Sequence, residues 1–471
     1  MIEGLKPYPD MNPSGLRWLG AVPAHWEIHR AKYSFYEADD RSEQGDEELL
    51  SVSHKTGVTP RSQKNITMFM AESYVGHKVC NPGDIVVNTM WAWMAAIGVS
   101  RHVGIVSPAY AVYRSRVADR FEPKFLDYLL RTEIYRAEYV RGSRGITTSR
   151  LRLYPPDFLN IPFIQPSIDE QRLIARFLDW HGVHTSKLIR AKQKMIALLN
   201  EQKQAIIHRA VSAGVDQPSR FITTGNPWFP ELPERWQLLP MRRVITRAVD
   251  GPHHSPEYQG GGIPFLSARN IRPNEWNLGT EKFISESDYL EFCRRIKPEV
   301  GDVLYTKGGT TGVALAVDRD FRFQVWVHIA VLKLREDKIR PKFLALALNS
   351  PKCYEQSQLL TRGATNQDLG LGRMKDIVLP VPPLAQQDAI VASIELSVQA
   401  LDRTMETARS EISFFREYYT RLAADVVTGK LDVRALAAGL PEATDRELLE
   451  ELGDDEDLEE AFDDAENEEA A

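Results

Sequence analysis

The sequence is poor in cysteine and has no long apolar run. Its three cysteines, Cys80, Cys293 and Cys353, lie far apart in the chain, and their spacing fits neither a disulfide framework nor a zinc site. A reducing compartment is therefore expected. No stretch of about 18 apolar residues that could cross a membrane occurs, and no basic-then-apolar leader opens the sequence. We expect a cytoplasmic protein that does not enter a membrane.

The motifs of common catalytic centres are also missing. Thr428-Gly429-Lys430 lacks the upstream glycine of a phosphate-binding loop, and no Gly-x-Gly-x-x-Gly follows a predicted strand. His253 and His254 have no third or fourth ligand nearby in the sequence, so a metal site is not predicted. We expect a chain without catalytic residues, metal or bound cofactor of its own.

Negative charge is concentrated at the end of the chain. Residues 441–471 contain 16 acidic residues and one basic residue, which gives this segment a charge of −15. Because the whole chain carries −7, residues 1–440 carry +8. The acidic segment, assigned to residues 434–471, is predicted to be a disordered tail. The mildly basic remainder permits a nucleic-acid surface without requiring one.

The sequence is an internal repeat. WLGAVPAHW, which begins at Trp18, recurs as WFPELPERW, which begins at Trp228. PKFL begins at Pro123 and again at Pro341. Since the matching segments follow one order over more than 200 residues, a duplication is favoured over coincidence. Each copy combines short β-rich runs with helical segments, such as those over 123–139 and 341–359, and this order predicts two mixed α/β domains, 1–166 and 216–383.

Two long stretches with helical periodicity follow these domains. One predicted helix extends from Val183 to Ala213 within a spacer region over 167–215, and the second lies in a spacer region over 384–433. Antiparallel pairing of the two is predicted, and separate packing of each helix in its own domain is the alternative. The predicted seam consists of Ile189, Ile196, Leu199, Ile206, Leu401, Met405, Ala408, Ile412, Phe415, Tyr419 and Leu422.

Polar and basic residues suited to DNA recur in the loops of both halves. Arginine matches guanine edges and phosphates, asparagine and glutamine match adenine, and lysine and hydroxyl groups reach phosphates. Each such residue alone would fit a solvated surface, but their recurrence as a set favours a DNA-reading face. The first-half candidates are Ser53, His54, Lys55, Thr56, Arg61, Lys64, Arg141, Ser143, Arg144, Thr147 and Arg150. The second-half candidates are Arg269, Asn270, Arg272, Lys307, Thr310, Thr311, Arg362, Thr365, Asn366 and Gln367. Trp91 and Trp93 could stack on bases or wedge between them, but their alternation favours packing in the core.

The pattern resembles the specificity subunits of type I restriction-modification systems. The doubled Trp/Pro entry, the doubled PKFL and the exits IPFIQPSIDEQRLIARFLD and LPVPPLAQQDAIVASIE carry this resemblance over about residues 15–433. The sequence departs from an even repeat where Gln386-Gln387 stands opposite Glu170-Gln171, and the acidic tail lies outside the pattern.

The resemblance implies two similar mixed α/β target recognition domains, separated by two long antiparallel coiled-coil helices in a pseudo-two-fold repeat. Each domain would read one half of a split site in double-stranded DNA, and the helices would fix the spacing. The implied partners are two modification subunits, which use S-adenosylmethionine for adenine methylation, and a restriction subunit, which uses ATP and Mg. The chain itself would be a non-catalytic subunit.

Two other functions remain open from the residues alone. The chain could be a non-enzymatic scaffold that assembles proteins through its helices, with two peptide- or protein-binding domains. It could also be a nuclease or methyltransferase whose site follows no recognised motif.

Overall fold

The computed structural model describes residues 5–54, 56–63, 73–145, 151–215, 220–363 and 367–441. The chain divides into two compact units. Unit 1 comprises residues 1–193 and 409–471, and unit 2 comprises residues 194–408. Within the described residues, no helix has both the length and the apolar character that a membrane span needs.

Unit 1 is a mixed α/β unit with a short-stranded antiparallel sheet. The strands are β1 Met11–Pro13, β2 Ala21–Pro23, β3 Glu27–Arg30, β4 Phe35–Ala38, β5 Leu50–Ser53, β6 Gly57–Pro60, β7 Lys78–Cys80, β8 Ile85–Val87, β9 Ile97–Val99, β10 Gly104–Val106, β11 Ala111–Ser115 and β12 Pro162–Gln165. The helices are α1 Pro123–Leu130, α2 Glu133–Gly142, α3 Pro155–Phe158 and the first part of α4 Ile168–Ala213. Its main sheet has the order β4-β11-β8-β9.

Unit 2 has the same kind of architecture. The strands are β13 Phe221–Thr223, β14 Glu231–Pro233, β15 Gln237–Pro240, β16 Ile245–Asp250, β17 Ile263–Leu266, β18 Ile271–Arg272, β19 Glu275–Trp276, β20 Lys282–Ile284, β21 Val303–Thr306, β22 Ala314–Ala316, β23 Gln324–Val325, β24 Ile329–Leu334 and β25 Val378–Val381. The helices are α5 Glu286–Cys293, α6 Pro341–Leu348, α7 Pro351–Leu360, α8 Leu371–Met374 and the first part of α9 Leu384–Val427; α10 Arg434–Ala437 belongs to unit 1.

The two units repeat one sheet topology. The order β16-β24-β21-β22 in unit 2 corresponds to β4-β11-β8-β9 in unit 1. The strand before each long helix also has an equivalent partner, because β12 pairs antiparallel with β3 and β25 pairs antiparallel with β15. The mixed α/β fold class and the internal repeat predicted from the sequence are confirmed.

The segments after PKFL differ from the prediction of a single helix in each half. In unit 1 the first helix ends at Leu130, and Thr132 accepts a hydrogen bond from the backbone N–H of Tyr135 to cap the next helix. In unit 2 Pro351 stands in the first turn of the second helix. Proline has no backbone N–H and favours such a position. Each predicted helix is therefore a pair of helices, α1–α2 and α6–α7.

The first long helix begins earlier than predicted. It starts at Ile168 rather than at Val183, since the hydroxyl of Ser167 accepts the backbone N–H of Glu170 at its first turn. The helix ends before Gly214, whose φ of +86° is in the left-handed region. α9 ends in the same way before Gly429, with a φ of +77°. Glycine adopts this conformation without the cost that a side chain adds.

Within each unit, the segments of α4 and α9 pair closely and in antiparallel order. In unit 1 the hydroxyl of Tyr419 donates to the carbonyl of Leu178 at 3.1 Å. In the same unit the ammonium of Lys192 lies 2.6 Å from a carboxylate oxygen of Glu411. Residue numbers in α9 therefore fall as those in α4 rise, which is the antiparallel order. In unit 2 Lys203 forms an ion pair of 2.6 Å with Asp402.

The predicted seam residues differ in how completely they are covered. Ile189, Met405, Ala408, Ile412 and Leu422 are buried. The remaining seam residues, which are half-buried, are Ile196, Leu199, Ile206, Leu401, Phe415 and Tyr419. Two residues outside the predicted seam, Ile207 and Val211, are also buried and contribute to the core of unit 2.

A buried glutamine joins the start of each long helix to its globular unit. In unit 1 the Gln171 side chain accepts the backbone N–H of Glu122 at 2.8 Å and donates to the carbonyls of Arg120 and Pro166. These contacts fix the residue that precedes α1 against the first turn of α4. Gln387 is equally buried at the start of α9 in unit 2.

Candidate nucleic-acid interface

In unit 1, the end of β8 lies against the loop that precedes α3. The backbone N–H of Leu153 donates to the carbonyl of Thr89 at 3.0 Å. In the same loop, Arg144 and Arg152 exchange backbone hydrogen bonds of 2.9 and 3.0 Å. The side chain of Arg144 is 69% exposed and forms an ion pair of 2.8 Å with Asp157. Arg144 and Arg152 are therefore exposed at two positions whose backbone groups are hydrogen-bonded to each other.

The hairpin between β5 and β6 uses its hydroxyl groups for its own turn. The Ser53 hydroxyl accepts the backbone N–H of Thr56 at 3.0 Å, and the two hydroxyl oxygens are 2.9 Å apart. Thr56 is buried, whereas Ser53, His54 and Arg61 are half-buried. The structure thus gives Ser53 and Thr56 a role in shaping the turn. The predicted residues Lys55, Lys64, Thr147 and Arg150 lie outside the described part of the chain.

Two further candidates of unit 1 lie at the end of α2. Arg141 is exposed and forms an ion pair with the buried carboxylate of Glu138. The Ser143 hydroxyl donates to the carbonyl of Tyr139 at 2.6 Å. Ser143 therefore satisfies one of the open carbonyls at the helix end, while Arg141 keeps its guanidinium at the surface.

Sequence reasoning assigned one exposed residue of unit 1 to the core. Trp91 is 52% exposed and lies in the turn after β8. In the same turn, the carbonyl of Thr89 accepts the backbone N–H of Leu153. The prediction of core packing for Trp91 is wrong, because the alternation in TMWAWM belongs to a turn and a short 3-10 helix rather than to a strand. Trp93 is half-buried and its indole N–H donates to the carbonyl of Met90. The exposed indole of Trp91, two residues after Thr89, offers a ring on which a base could stack.

In unit 2, the equivalent loops carry a different set of side chains. The backbone N–H of Leu369 donates to the carbonyl of Lys307 at 2.8 Å, as Leu153 does to Thr89 in unit 1. Arg362 and Gln367 are exposed in this loop, and Thr310 is exposed in the turn after β21. The predicted residues Thr365 and Asn366 lie outside the described residues.

Two predicted DNA contacts of unit 2 are buried instead. Lys307 is 7% exposed, and its ammonium lies 3.5 Å from a carboxylate oxygen of Asp250 and 3.2 Å from one of Asp368. Thr311 is also buried, and its hydroxyl oxygen is 3.1 Å from that of Thr361. Both residues hold loops together and do not face solvent.

The group around Arg269 is a hairpin that follows β17. Arg269 and Arg272 are exposed. Asn270 is buried, and its carbonyl oxygen accepts the backbone N–H of Ser267 at 2.9 Å. Its amide donates to the carbonyl of Asn277 at 3.2 Å. Asn270 therefore stabilises the turn that displays Arg269 and Arg272, because its own donors and acceptors are used inside the protein.

A buried carboxylate organises the charges beneath the unit 2 loops. Burial raises the pKa of Asp250, but the hydrogen bond from Arg295 and the charges of Lys307, Arg295 and His253 hold this pKa below its ordinary value. Asp250 is therefore ionised at neutral pH. Among the described residues, no group of three or more His, Cys, Asp or Glu side chains has the arrangement of a metal site.

Comparisons with known proteins agree with this architecture. Residues 251–412 match the family model of the type I restriction modification DNA specificity domain. The specificity subunit of the type I restriction enzyme EcoKI from Escherichia coli (strain K12) is 21% identical over 336 residues, which cover 67% of this chain and 68% of that protein. The EcoBI specificity subunit from Escherichia coli is 23% identical over 239 residues, which cover 49% of this chain and 50% of that protein.

A solved structure shares the fold. One chain from a study of complex assembly and conformational transition of the type I R-M system has a TM-score of 0.61 and 16% identity, and the match covers 86% of this chain and 98% of that chain. The fold is thus one used in type I restriction-modification systems. The family match over residues 251–412 and the two relatives confirm the resemblance to type I DNA specificity subunits that the sequence shows. They give no support to the scaffold alternative.

Proposed function

We propose that each unit reads one half of a bipartite site in double-stranded DNA for a type I restriction-modification complex. The main support is that the two units share one sheet topology but have different side chains in their equivalent loops. The bond from Leu153 to Thr89 recurs as the bond from Leu369 to Lys307. Because the scaffold is constant and the loop side chains vary, each unit is suited to a different short sequence.

The chemistry of the exposed loop residues supports this division. Arg144 and Arg152 are exposed in unit 1, and Arg362 and Gln367 are exposed at the corresponding loop of unit 2. Arginine can bind guanine through two parallel hydrogen bonds, and glutamine can do so with adenine. The predominance of arginine also suits contacts with phosphate, which position a protein on the duplex.

We further propose that the paired helices fix the distance between the two half-sites. α4 has 46 residues and α9 has 44, so each is about 65–70 Å long at 1.5 Å per residue. The close pairing of α4 with α9 within each unit supports the use of the helices as a spacer.

The chain is proposed to act without a reaction centre of its own. Two modification subunits would supply adenine methylation with S-adenosylmethionine, and a restriction subunit would supply the steps that use ATP and Mg. The whole assembly would act on DNA in the cytoplasm. The type I restriction enzymes named for the two relatives support an assembly of this kind.

The test is selection of bound duplexes from a random pool by the full-length chain with its modification subunits. The expected result is one split motif with a fixed gap, and binding that weakens steeply as salt rises, because phosphate contacts release counterions. Recovery of no motif would overturn the proposal. DNA methylation or cleavage by the purified chain alone would show that it has a reaction centre.

A further inference from the structure

Lys307 is a buried cation placed between two loops of unit 2. It follows β21 directly, and its ammonium donates to the backbone carbonyl of Val327 at 3.3 Å. Asp250, at the end of β16, lies 3.5 Å from this ammonium. Asp368, in the loop that precedes α8, lies 3.2 Å from it. The ammonium thus connects the ends of two strands with a loop that is distant in sequence.

The two carboxylates differ in their surroundings. The Asp250 side chain is 4% exposed and also bonds to Arg295, whereas the Asp368 side chain is 49% exposed. Asp368 exchanges backbone hydrogen bonds of 2.8 and 3.0 Å with Arg362. A displacement of Asp368 from Lys307 would therefore move Arg362, the exposed arginine of that loop.

Unit 1 shows that the fold does not need this charge connection. Thr89 stands where Lys307 stands, and its hydroxyl donates to the carbonyl of Ala109 at 2.9 Å. Arg152, which exchanges backbone hydrogen bonds with Arg144, stands where Asp368 stands. The same set of backbone hydrogen bonds therefore forms in unit 1 without a buried lysine between two carboxylates.

Buried ion pairs contribute little net stability, since desolvation offsets their attraction, but they can select one geometry. A lysine with a carboxylate on either side has its ammonium fixed from both directions, and the loop that carries Asp368 is fixed with it. The absence of this connection in unit 1 argues that it adjusts one reading loop and is not a requirement of the sheet.

We propose that Lys307, held by Asp250 and Asp368, is a positioning residue that fixes the loop carrying Arg362 and Gln367 for recognition of the second half-site. This inference rests on the proposed function. Lys307 does not touch DNA in this arrangement; it sets where the exposed side chains of the loop stand. Its loss affects discrimination by unit 2 and leaves discrimination by unit 1 unchanged.

The chain offers a matched control at the other end of β21. The ammonium of Lys333 lies 2.8 Å from the buried carboxylate of Asp302 and 3.0 Å from the exposed carboxylate of Glu299. Lys333 lies in β24, and Asp302 directly precedes β21. Lys333 is thus a second lysine of the same sheet that pairs with two carboxylates. The K333M variant removes a lysine that pairs with two carboxylates, those of Asp302 and Glu299, without touching the loop of Arg362.

The test compares K307M, D368N and K333M with wild type, each as the full-length chain with its modification subunits. The probes are the duplex selected by wild type and duplexes with single base changes in either half-site. K307M and D368N are expected to lose at least about tenfold of the discrimination within the second half-site, the scale of one specific base contact. K307M and D368N are expected to keep wild-type discrimination within the first half-site. K333M is expected to keep wild-type discrimination within both half-sites.

D368N is the second variant in case K307M fails to fold. Asp368 is half-exposed and asparagine has the same shape, so D368N is expected to keep the fold. Wild-type discrimination by both K307M and D368N would overturn the inference while the proposed function stands. An equal loss for K333M would also overturn it, since the effect would then follow from stability alone. Failure of wild type to select any split motif would overturn the proposed function and this inference together.

Discussion

Gln387 in unit 2 repeats the three hydrogen bonds that Gln171 makes in unit 1. Its side-chain oxygen accepts the backbone N–H of Arg340 at 2.7 Å, and its amide donates to the carbonyls of Lys338 and Pro382, both at 2.8 Å. Arg340 precedes α6 as Glu122 precedes α1. A repeated bond set at the same point of both units indicates that the angle between helix and globular part is fixed in the same way twice.

Substitution of Gln387 by alanine is expected to lower the free energy of unfolding by about 1–3 kcal/mol, because one backbone N–H and two backbone carbonyls would lose their partner. Urea denaturation monitored by circular dichroism measures this loss. The exposed Gln399 of α9 provides the control, and Q399A should change stability by less than about 0.5 kcal/mol. Equal stability of Q387A and wild type would contradict the structural role.

Arg362→Ala is expected to weaken discrimination at the second half-site only, by about tenfold for the base it contacts, as removal of one specific contact does. Arg144→Ala is expected to have the same effect at the first half-site. Gel-shift titration with single-base variants of the selected duplex measures both effects.

Arg403, exposed on α9, is the matched control for loss of a positive charge. R403A should leave the ranking of duplexes unchanged. If R362A and R144A weaken binding to every sequence by one factor, the two arginines contact phosphates and the bases are read by other residues.

Insertion of one heptad after Leu199 together with one heptad after Met405 is expected to widen the gap between half-sites by about three base pairs. Seven helical residues add about 10 Å, and a base pair occupies about 3.4 Å of duplex. A heptad also keeps the apolar seam on the same side of each helix. Selection from a random duplex pool measures the gap directly.

Insertion in α4 alone is the control for this experiment. It would displace Lys203 from Asp402 and shift the seam, so a loss of stability is expected rather than a new gap. A double insertion that folds and selects the wild-type gap would refute the use of the helices as a spacer.

The ion network of Asp250 is expected to make unit 2 sensitive to acid. Burial raises the pKa of this carboxyl, and the hydrogen bond from Arg295 with the nearby positive charges brings it below the ordinary value. Its folded-state pKa is lower than its unfolded-state pKa, so its contribution is complete above about pH 4 and is lost as pH falls through the folded value.

Comparison of wild type with D250N by urea denaturation at several pH values checks this sign. The stability difference should be constant from about pH 5 to 8 and should shrink below about pH 4. A difference that stays constant in acid would show that the charge of Asp250 is not responsible for it.

Much of the fold could be predicted because it depends on periodicity and repetition. Helical spacing identified both long helices, and recurring segments identified the two α/β units. Lys192 and Lys203 interrupt the apolar spacing of α4, and each forms an ion pair with α9. A pairing partner more than 190 residues away leaves no local signal at either lysine.

The individual roles of the loop residues could not be predicted, because residue type does not determine burial. Asn270 and Lys307 have side chains suited to DNA, yet both are buried and hydrogen-bonded within the protein. Arg362 and Arg144 have the same suitability and are exposed. The difference arises from how distant strands and loops meet, and the sequence of a single loop does not contain that information.

Gly308 lies under the ring of His328, where an added Cβ would be 2.1 Å from Nδ1 of the imidazole. A library built to retarget unit 2 should therefore leave Gly308 unchanged. Diversity introduced at Thr310, Arg362 and Gln367, which are exposed, would alter the chemistry offered to DNA without disturbing this close contact.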